Sequence, residues 1–289
     1  MFIPRHDVEI DVNLSKENYE RELASMKECL LIARDPHRVD LLRLFGMTAE
    51  HAYDWGLRIG ADLAACAFAL TVAARVNTAL FVFAELTDPP RHWSLGDGYP
   101  VTFTKPVDES HVHAGTWMSA VGQSVVARQR DCLEFLLPIT YERLAQSSTW
   151  SEEPERDYHY VERQRVLAAA ALDPGRPIAS GYKLHAAGAQ PKRLRPSNRR
   201  ELEASGRMVE ALDAQAADAF NTALADVLRA HRETLSQTKN PERKRHSSAL
   251  WPLGLIAIAA VAHDRGIPIQ VESDYLPRPW VTGELFRNT

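Results

Sequence analysis

The sequence is poor in cysteine and has no large excess of either charge. Its three cysteines, Cys29, Cys66 and Cys132, form no CxxC pair, which argues against a disulfide framework or a zinc site. The 34 basic and 38 acidic side chains leave a formal net charge of −4. This balance provides no overall positive field for nucleic acid or for an anionic membrane. We therefore expect a globular protein in a reducing compartment, the cytoplasm.

Long hydrophobic runs are also missing. The two longest apolar runs without a charge, Leu63–Ala74 and Ala249–Ala262, are shorter than the roughly 20 residues of a membrane-spanning helix. Residues Met1–Asp7 contain no basic region followed by an apolar core, so we expect no secretory signal. Both apolar runs are predicted to be buried helices of a protein that does not bind a membrane.

Apolar residues recur at helical spacing through most of the chain. The sequence predicts a mainly α fold, either a multi-helix antiparallel bundle or a helical-repeat-like array, with a small inserted β-hairpin. We expect residues 1–289 to form a single domain, with a candidate sub-boundary in the proline- and glycine-rich linker near 173–197. The predicted helices are Ser15–Leu30, Pro36–Leu44, Thr48–Arg75, Ser110–Arg130, Cys132–Gln146 with a kink at Pro138, Glu153–Leu172, Met208–Leu235 and Pro241–Asp264.

Two segments break the helical pattern and predict β structure. Thr78–Phe83 is short and rich in β-forming residues, and Val101–Thr104 alternates apolar with polar side chains. The turn-forming Asp88–Pro90 and Gly96–Gly98 lie between these two segments. We therefore expect a hairpin with a long exposed loop, packed on the helices because an isolated hairpin is only marginally stable in water.

Sequence motifs of catalysis are absent. The chain contains no HExxH, no GxSxG and no phosphate-binding loop. His111 and His113 precede a predicted helix and have no third metal ligand nearby, which is typical of loop histidines. His231 lies on the apolar stripe of a predicted helix and is expected to be a core residue. The sequence thus predicts no catalytic, cofactor-binding or metal-ligating residue and no enzyme.

One stretch of the chain has a local excess of positive charge. Between Arg176 and Arg207 there are eight lysines and arginines but only two acidic residues. A solvated basic loop explains such a stretch, and so does a docking surface for an acidic partner. Both interpretations stay open at the level of the sequence.

The C-terminal third carries the most specific residue pattern in the chain. The pattern consists of Phe220–Leu224, Leu228, His231 and the run Gly254–Pro277. In the middle of the chain, Ala114–Trp117 opens a predicted helix that ends near Asp131 and follows a short β segment. Together these segments resemble the immunity protein 49 family of bacterial polymorphic-toxin systems. The segment Asp173–Pro196 and Thr116 depart from the family pattern, and these departures bear on partner specificity more than on fold.

The resemblance implies a predominantly α-helical immunity protein. Such a protein neutralises a cognate toxin domain by stoichiometric, non-covalent binding that covers the active site or the substrate path, without catalysis. Loops on a rigid scaffold can vary without cost to the core, and aromatic and arginine side chains commonly anchor interfaces. The candidate surfaces are therefore the loop Glu85–Tyr99 and the basic stretch. The candidate contact residues are Trp93, Tyr99, Arg193, Arg195, Arg199 and Arg200.

An alternative from another class of protein also fits the sequence. A pocket between helices, using His111, His113 or His159, would make the chain a helical small-molecule-binding protein or an enzyme. Tyr158 and Tyr160 flank His159 and could stack on a ligand there. The sequence itself implies no cofactor, and it does not determine the oligomeric state.

Overall fold

The computed structural model describes residues 1–84, 92–96, 99–145, 154–175 and 196–286. Across these ranges the chain is predominantly helical, and its strands form two short two-stranded sheets. In chain order the elements are β1 (Phe2–Ile3), α1 (Val12–Ile32), α2 (Leu41–Ile59), α3 (Leu63–Val82), β2 (His92–Ser94), β3 (Pro100–Thr102), α4 (Ala114–Val126), α5 (Arg130–Leu136), α6 (Tyr141–Ala145), α7 (Pro154–Leu172), α8 (Pro196–Asp213), α9 (Ala217–Gln237), α10 (Pro241–Arg245), α11 (Ser247–Leu250), α12 (Leu253–Asp264), β4 (Glu272–Ser273) and α13 (Arg278–Thr282). The predicted mainly α fold with a small hairpin is confirmed.

The chain divides into two compact units. The N-terminal unit consists of residues 10–152 and 284–289, and the C-terminal unit consists of residues 1–9 and 153–283. Each unit thus includes a short segment from the opposite end of the chain. The expectation of a single domain stays a prediction.

Helix α3 is the core of the N-terminal unit and packs against α2 and α4. It is long and apolar enough to cross a membrane, but 83% of its most hydrophobic window is buried inside the protein. The buried amide nitrogen of Asn77 in this helix finds partners on both neighbours: Asn77 Nδ2 donates to Glu50 Oε1 at 2.8 Å and to Gln123 Oε1 at 2.9 Å. The helix is therefore held to α2 and α4 by amide hydrogen bonds as well as by apolar packing.

The predicted helix Thr48–Arg75 is wrong, because the chain turns within it. Helix α2 ends at Gly60, whose φ of 62° is the left-handed conformation that suits glycine. Asp62 then caps α3 by accepting a hydrogen bond from the Ala64 N–H at 2.9 Å. The predicted helix Pro36–Leu44 is also wrong, since α2 begins only at Leu41.

The hairpin is present, but its first strand was predicted at the wrong place. Thr78–Phe83 continues α3 to Val82, because tertiary packing around this helix overrides the β propensity of its last residues. The strand that pairs with β3 is β2, and Trp93 lies opposite Val101 in an antiparallel register. The predicted second strand is confirmed, with β3 ending at Thr102.

Several further helices were predicted with incorrect boundaries. Helix α1 is capped by Asp11, which accepts from the Leu14 N–H at 3.0 Å, rather than by Ser15. The predicted helix Met208–Leu235 is two helices, α8 and α9, separated at Gln215 with a φ of 53°. Pro138 separates α5 from α6 instead of kinking one helix. The predicted helix Pro241–Asp264 is also divided, into α10, α11 and α12. Gly266 has a φ of 85° just beyond α12, as predicted for the end of this segment.

The N-terminal segment belongs to the C-terminal unit, where β1 pairs with β4 in parallel. The backbone N–H of buried His6 donates to the Tyr275 hydroxyl at 2.9 Å, and the hydroxyl lies 2.9 Å from His6 Nδ1. His6 Nε2 lies 3.0 Å from the carbonyl oxygen of Lys244. Burial is the main cause that lowers the pKa of His6, which favours a neutral ring able to make both contacts.

Other residues of the C-terminal pattern also stabilise this unit. The side-chain amide of Asn221 donates to the Pro268 carbonyl oxygen at 2.9 Å and accepts from the Gln270 N–H at 2.7 Å. His231 Nε2 lies 3.1 Å from the carbonyl oxygen of Ala249, and its ring meets the ring of Tyr275 edge-on. His231 is half-buried rather than a core residue. Its ring is nevertheless held by contacts within the unit, as expected of a structural histidine.

We predict that Tyr275→Phe lowers the free energy of unfolding by about 1–3 kcal/mol, because it leaves the buried His6 N–H without its acceptor. Chemical denaturation measures this change. Tyr99→Phe is the matched control, since the Tyr99 hydroxyl makes no hydrogen bond within the described residues. Equal stability of both variants and the wild type would contradict a structural role for the Tyr275 hydroxyl.

Candidate interaction surface

Trp93 lies on β2 and is fixed by contacts on two sides. Its indole N–H donates to the carbonyl oxygen of Arg75 at 3.0 Å. Its ring packs edge-on against Phe135 of α5, with 6.0 Å between ring centroids. Both aromatic side chains are only half-buried. The hairpin therefore presents a tryptophan in one fixed orientation with part of its ring exposed.

Arg75 of α3 joins the hairpin to α5. Its Nε donates to the carbonyl oxygen of Ser94 at 2.6 Å, and Nη1 donates to Gln129 Oε1 at 2.7 Å. Nη2 forms an ion pair of 2.8 Å with Asp131, and the guanidinium carbon lies 5.5 Å from the centroid of the Trp93 ring. Only 14% of the Arg75 side chain is exposed, so these contacts satisfy a largely buried charge.

The turn between α4 and α5 places the partners of Arg75. Arg128 has a φ of 54° in this turn, a conformation that L residues seldom adopt. The Gln129 N–H donates to the Ser124 carbonyl oxygen at 2.8 Å, and Gln129 Nε2 donates to the Ala127 carbonyl oxygen at 3.1 Å. Gln129 is thereby oriented with its Oε1 toward Arg75.

Tyr99 lies at the other side of the same hairpin. Its N–H donates to the Gly96 carbonyl oxygen at 3.1 Å, and its carbonyl oxygen accepts from the Leu95 N–H at 3.0 Å. The guanidinium carbon of exposed Arg34 lies 5.5 Å from the centroid of the Tyr99 ring. A cation placed over an aromatic ring in this way is weakly attractive, so the two side chains support each other.

Trp93 and Tyr99 share the face of the hairpin that is turned toward the helices. Trp93 pairs with Val101, and Tyr99 precedes Val101 by two residues, so all three side chains project to one side. Leu95 and Val101 on that side are buried, whereas Trp93 and Tyr99 are half-buried at its border. The two aromatic residues are thus part of the scaffold packing and are also accessible.

We call the accessible region around these residues the hairpin surface. Its members are Arg34, Trp93, Tyr99, Asp131 and Phe135. It combines half-exposed aromatic rings with one exposed cation and one exposed carboxylate. Tryptophan, tyrosine and arginine are the residue types that contribute most binding free energy at protein interfaces. The arrangement is chemically suited to binding a protein.

All six predicted contact residues stay predictions, and four of them lie wholly or partly outside the described structure. Arg193 and Arg195 lie outside the described residues. The backbone of Arg199 and Arg200 lies in α8, but the structure does not describe their side chains. Arg207, at the end of the basic stretch, lies 3.8 Å from Asp226 in an exposed ion pair. The basic stretch remains a predicted contact surface.

The structure describes the side chains of two of the three histidines proposed for a pocket. His113 caps α4, its Nδ1 accepting from the Thr116 N–H at 3.4 Å, and burial followed by the charge of Arg43 lowers its pKa. His111 ends a short 3-10 helix, and the side chain of His159 lies outside the described residues. In the described ranges, no group of three or more metal-ligating side chains is close enough to hold an ion.

The comparison with known families decides what kind of protein this is. A family model described as Immunity protein 49 matches residues 60–280. The chain belongs to the immunity protein 49 family. No curated protein and no solved structure shows significant similarity to it. The family resemblance inferred from the sequence is confirmed, and membership of an immunity protein family implies a toxin as binding partner.

The family match extends from the turn before α3 to α13 and includes the hairpin. The sequence of this immunity protein predicts Trp93 and Tyr99 as contact residues but indicates neither Arg75 nor Phe135. One signal for Arg75 was available: it is the only charged residue in the otherwise uncharged helix Leu63–Val82. A lone charge in a buried helix requires a partner from another element, although the sequence does not indicate which one.

We predict that Arg75→Met loosens the hairpin of this immunity protein. Removal of the guanidinium leaves the Ser94 carbonyl and the Gln129 amide without their donor, so the free energy of unfolding should fall by about 1–3 kcal/mol. Hydrogen–deuterium exchange should show faster exchange of the β2 and β3 amides, because the local opening free energy decreases.

Arg130→Met provides the matched control for this measurement. The ion pair of Arg130 with Glu134 is exposed, with 67% and 55% of the two side chains accessible, and such pairs contribute about 0–1 kcal/mol. Unchanged exchange in the hairpin of Arg75→Met would show that Arg75 does not hold it.

Proposed function

We propose that this protein neutralises a cognate bacterial toxin domain by binding it in a stoichiometric complex that covers the active site or substrate path of the toxin. It acts without catalysis, as one component of a polymorphic toxin system. The observation that carries this proposal is the match of residues 60–280 to the immunity protein 49 family.

The hairpin surface is proposed as the region that contacts the toxin. A binding surface of high affinity needs side chains that lose little conformational freedom in the complex. Trp93 already meets this condition because Arg75 and Phe135 hold it before binding. Tyr99 and Arg34 are stacked at the same hairpin and add a second anchor of the same type.

The required affinity sets the size of the contact. An immunity protein must leave almost no free toxin, which calls for nanomolar binding or better, about −12 kcal/mol. Interfaces of this strength commonly bury about 800 Å² on each partner around a few central anchors. The hairpin surface would supply the anchors, and the surrounding exposed residues would supply the rest of the contact area.

We place this activity in the cytoplasm of the bacterium that makes the toxin. All three cysteines are free, as expected in a reducing compartment. Cys66 and Cys132 are buried, and burial raises the pKa of each thiol to about 12. Both are therefore protonated and poorly reactive at neutral pH, which is typical of structural cysteines.

Co-expression with a candidate toxin domain tests the proposed function. We expect cells that make the toxin to survive only when this protein is present, and we expect the purified proteins to form a 1:1 complex. Survival without any complex would contradict neutralisation by binding and would favour an enzyme acting on the toxin or on its product. Isothermal titration calorimetry measures both stoichiometry and affinity.

We predict that Arg34→Glu and Tyr99→Ala each weaken toxin binding by about 2 kcal/mol, which corresponds to roughly thirty-fold in Kd. Both changes act on the hairpin surface, and thermal unfolding shows whether the fold is retained. Arg21→Glu on α1 is the control, because Arg21 is also exposed and its change alters the net charge equally. If Arg34→Glu and Tyr99→Ala bind the toxin as tightly as the control Arg21→Glu does, the hairpin surface is excluded as the contact.

Charge reversal in the basic stretch tests the other candidate surface. Replacement of Arg193, Arg195, Arg199 and Arg200 by glutamate should weaken binding at least tenfold if an acidic toxin surface lies there, and the loss should diminish at high salt. Binding that is unaffected by these four changes, but weakened by Arg34→Glu, would assign the contact to the hairpin surface alone.

A further inference from the structure

The C-terminal unit contains a buried arginine that has no acidic partner among the described residues. Arg163 of α7 is 7% exposed, and its Nη1 donates to the Ser205 hydroxyl at 3.3 Å. The guanidinium carbon lies 4.9 Å from the centroid of the Tyr160 ring. Across the described residues, no carboxylate forms an ion pair with Arg163, and its buried Nε makes no hydrogen bond.

An arginine in this state is costly. Its guanidinium stays positively charged at physiological pH, and a buried charge requires an opposite charge or several strong hydrogen bonds. One hydroxyl and one aromatic ring compensate only part of that cost. The position therefore favours the binding of an anion.

The neighbouring residue Gln164 is also buried and unsatisfied. It is 5% exposed, and its side-chain amide makes no hydrogen bond within the described residues, so its Nε2 is available as a donor. Gln164 Nε2 lies 3.4 Å from the place that a Cβ at Gly254 would occupy, and Arg163 Nη2 lies 2.9 Å from it. Two buried donor groups from α7 thus converge on Gly254.

Gly254 is in the first turn of α12, a helix of 12 residues whose N-terminus has no side-chain cap. The N–H groups of Leu255 and Ile256 bond to the Pro252 carbonyl oxygen. Those of Leu253 and Gly254 make no hydrogen bond within the described part of the chain, and both residues are half-exposed. Free N–H groups and the helix dipole give this end a partial positive charge.

We infer that Arg163, Gln164 and the N-terminus of α12 form a binding site for a small oxyanion, either a phosphate or a carboxylate group. The oxyanion would accept hydrogen bonds from Arg163 Nη2, Gln164 Nε2 and the free N–H groups of α12, and it would neutralise the buried guanidinium. Gly254 fits this role because a side chain there would displace the Arg163 amino group from its position beside the helix N-terminus.

Thermal and chemical unfolding of the full-length protein, titrated with inorganic phosphate at constant ionic strength, tests this site. A ligand that binds only the folded state lowers the unfolding equilibrium constant about tenfold at a concentration ten times its Kd. We expect this response in the wild type and expect its loss in Arg163→Met. A parallel titration with acetate distinguishes the two sources, since a carboxylate site responds to acetate more strongly than to phosphate.

Two further variants make the result specific. Arg207→Met, which removes an exposed arginine of α8, should retain the full response to the anion. Gly254→Ala keeps the charge of Arg163 but places a methyl group 2.9 Å from its Nη2, so the response should weaken at least several-fold in this variant. If Arg163→Met does not fold, Gly254→Ala provides the decisive comparison.

Three outcomes would overturn the inference. The first is that neither phosphate nor acetate stabilises the wild type. The second is that the anion stabilises Arg163→Met or Gly254→Ala as much as it stabilises the wild type. The third is that Arg207→Met also loses the response. The second and third outcomes would show a general effect of ions on the protein rather than binding at this site.

Discussion

The packing of the N-terminal unit depends on two polar side chains of its most apolar helix, because each requires hydrogen-bond partners from neighbouring elements. Arg75 and Asn77 lie in α3, where neighbouring helices exclude water. Asn77 binds Glu50 of α2 and Gln123 of α4, whereas Arg75 binds the hairpin and Asp131 of α5. Because an unsatisfied buried polar group costs several kcal/mol, these contacts restrict how the surrounding elements can pack. Because Arg75 holds the hairpin, this restriction also fixes the half-exposed position of Trp93.

In the C-terminal unit, the residues that carry the family resemblance are mainly structural. Asn221 holds the segment after α12, and Tyr275 binds His6 of the N-terminal segment. A family of proteins that bind different toxins needs such residues for the fold, and it needs other residues to adapt to each partner. This division explains why family membership is readable from the sequence, whereas the identity of the toxin is not.

Periodicity predicted the presence of the helices more accurately than it predicted their ends. Helical spacing continues across the turns at Gly60 and Gln215, so the later part of α2 was predicted to continue into α3, and the end of α8 to continue into α9. Single left-handed residues interrupt a helix without interrupting its apolar stripe. The β propensity of Thr78–Phe83 predicted a strand, but burial within the helical core outweighed that local preference.

The sequence by itself determined the helical class, the presence of a hairpin and the family, because all three depend on local spacing or on short residue patterns. Only the tertiary structure decided which residues surround Trp93. Arg75, Phe135 and Asp131 are 18 to 42 positions away from it, counted along the chain. It also brought Arg163 to Gly254. Side-chain pairing over such separations depends on how helices pack, and local periodicity specifies only which face of each helix is buried.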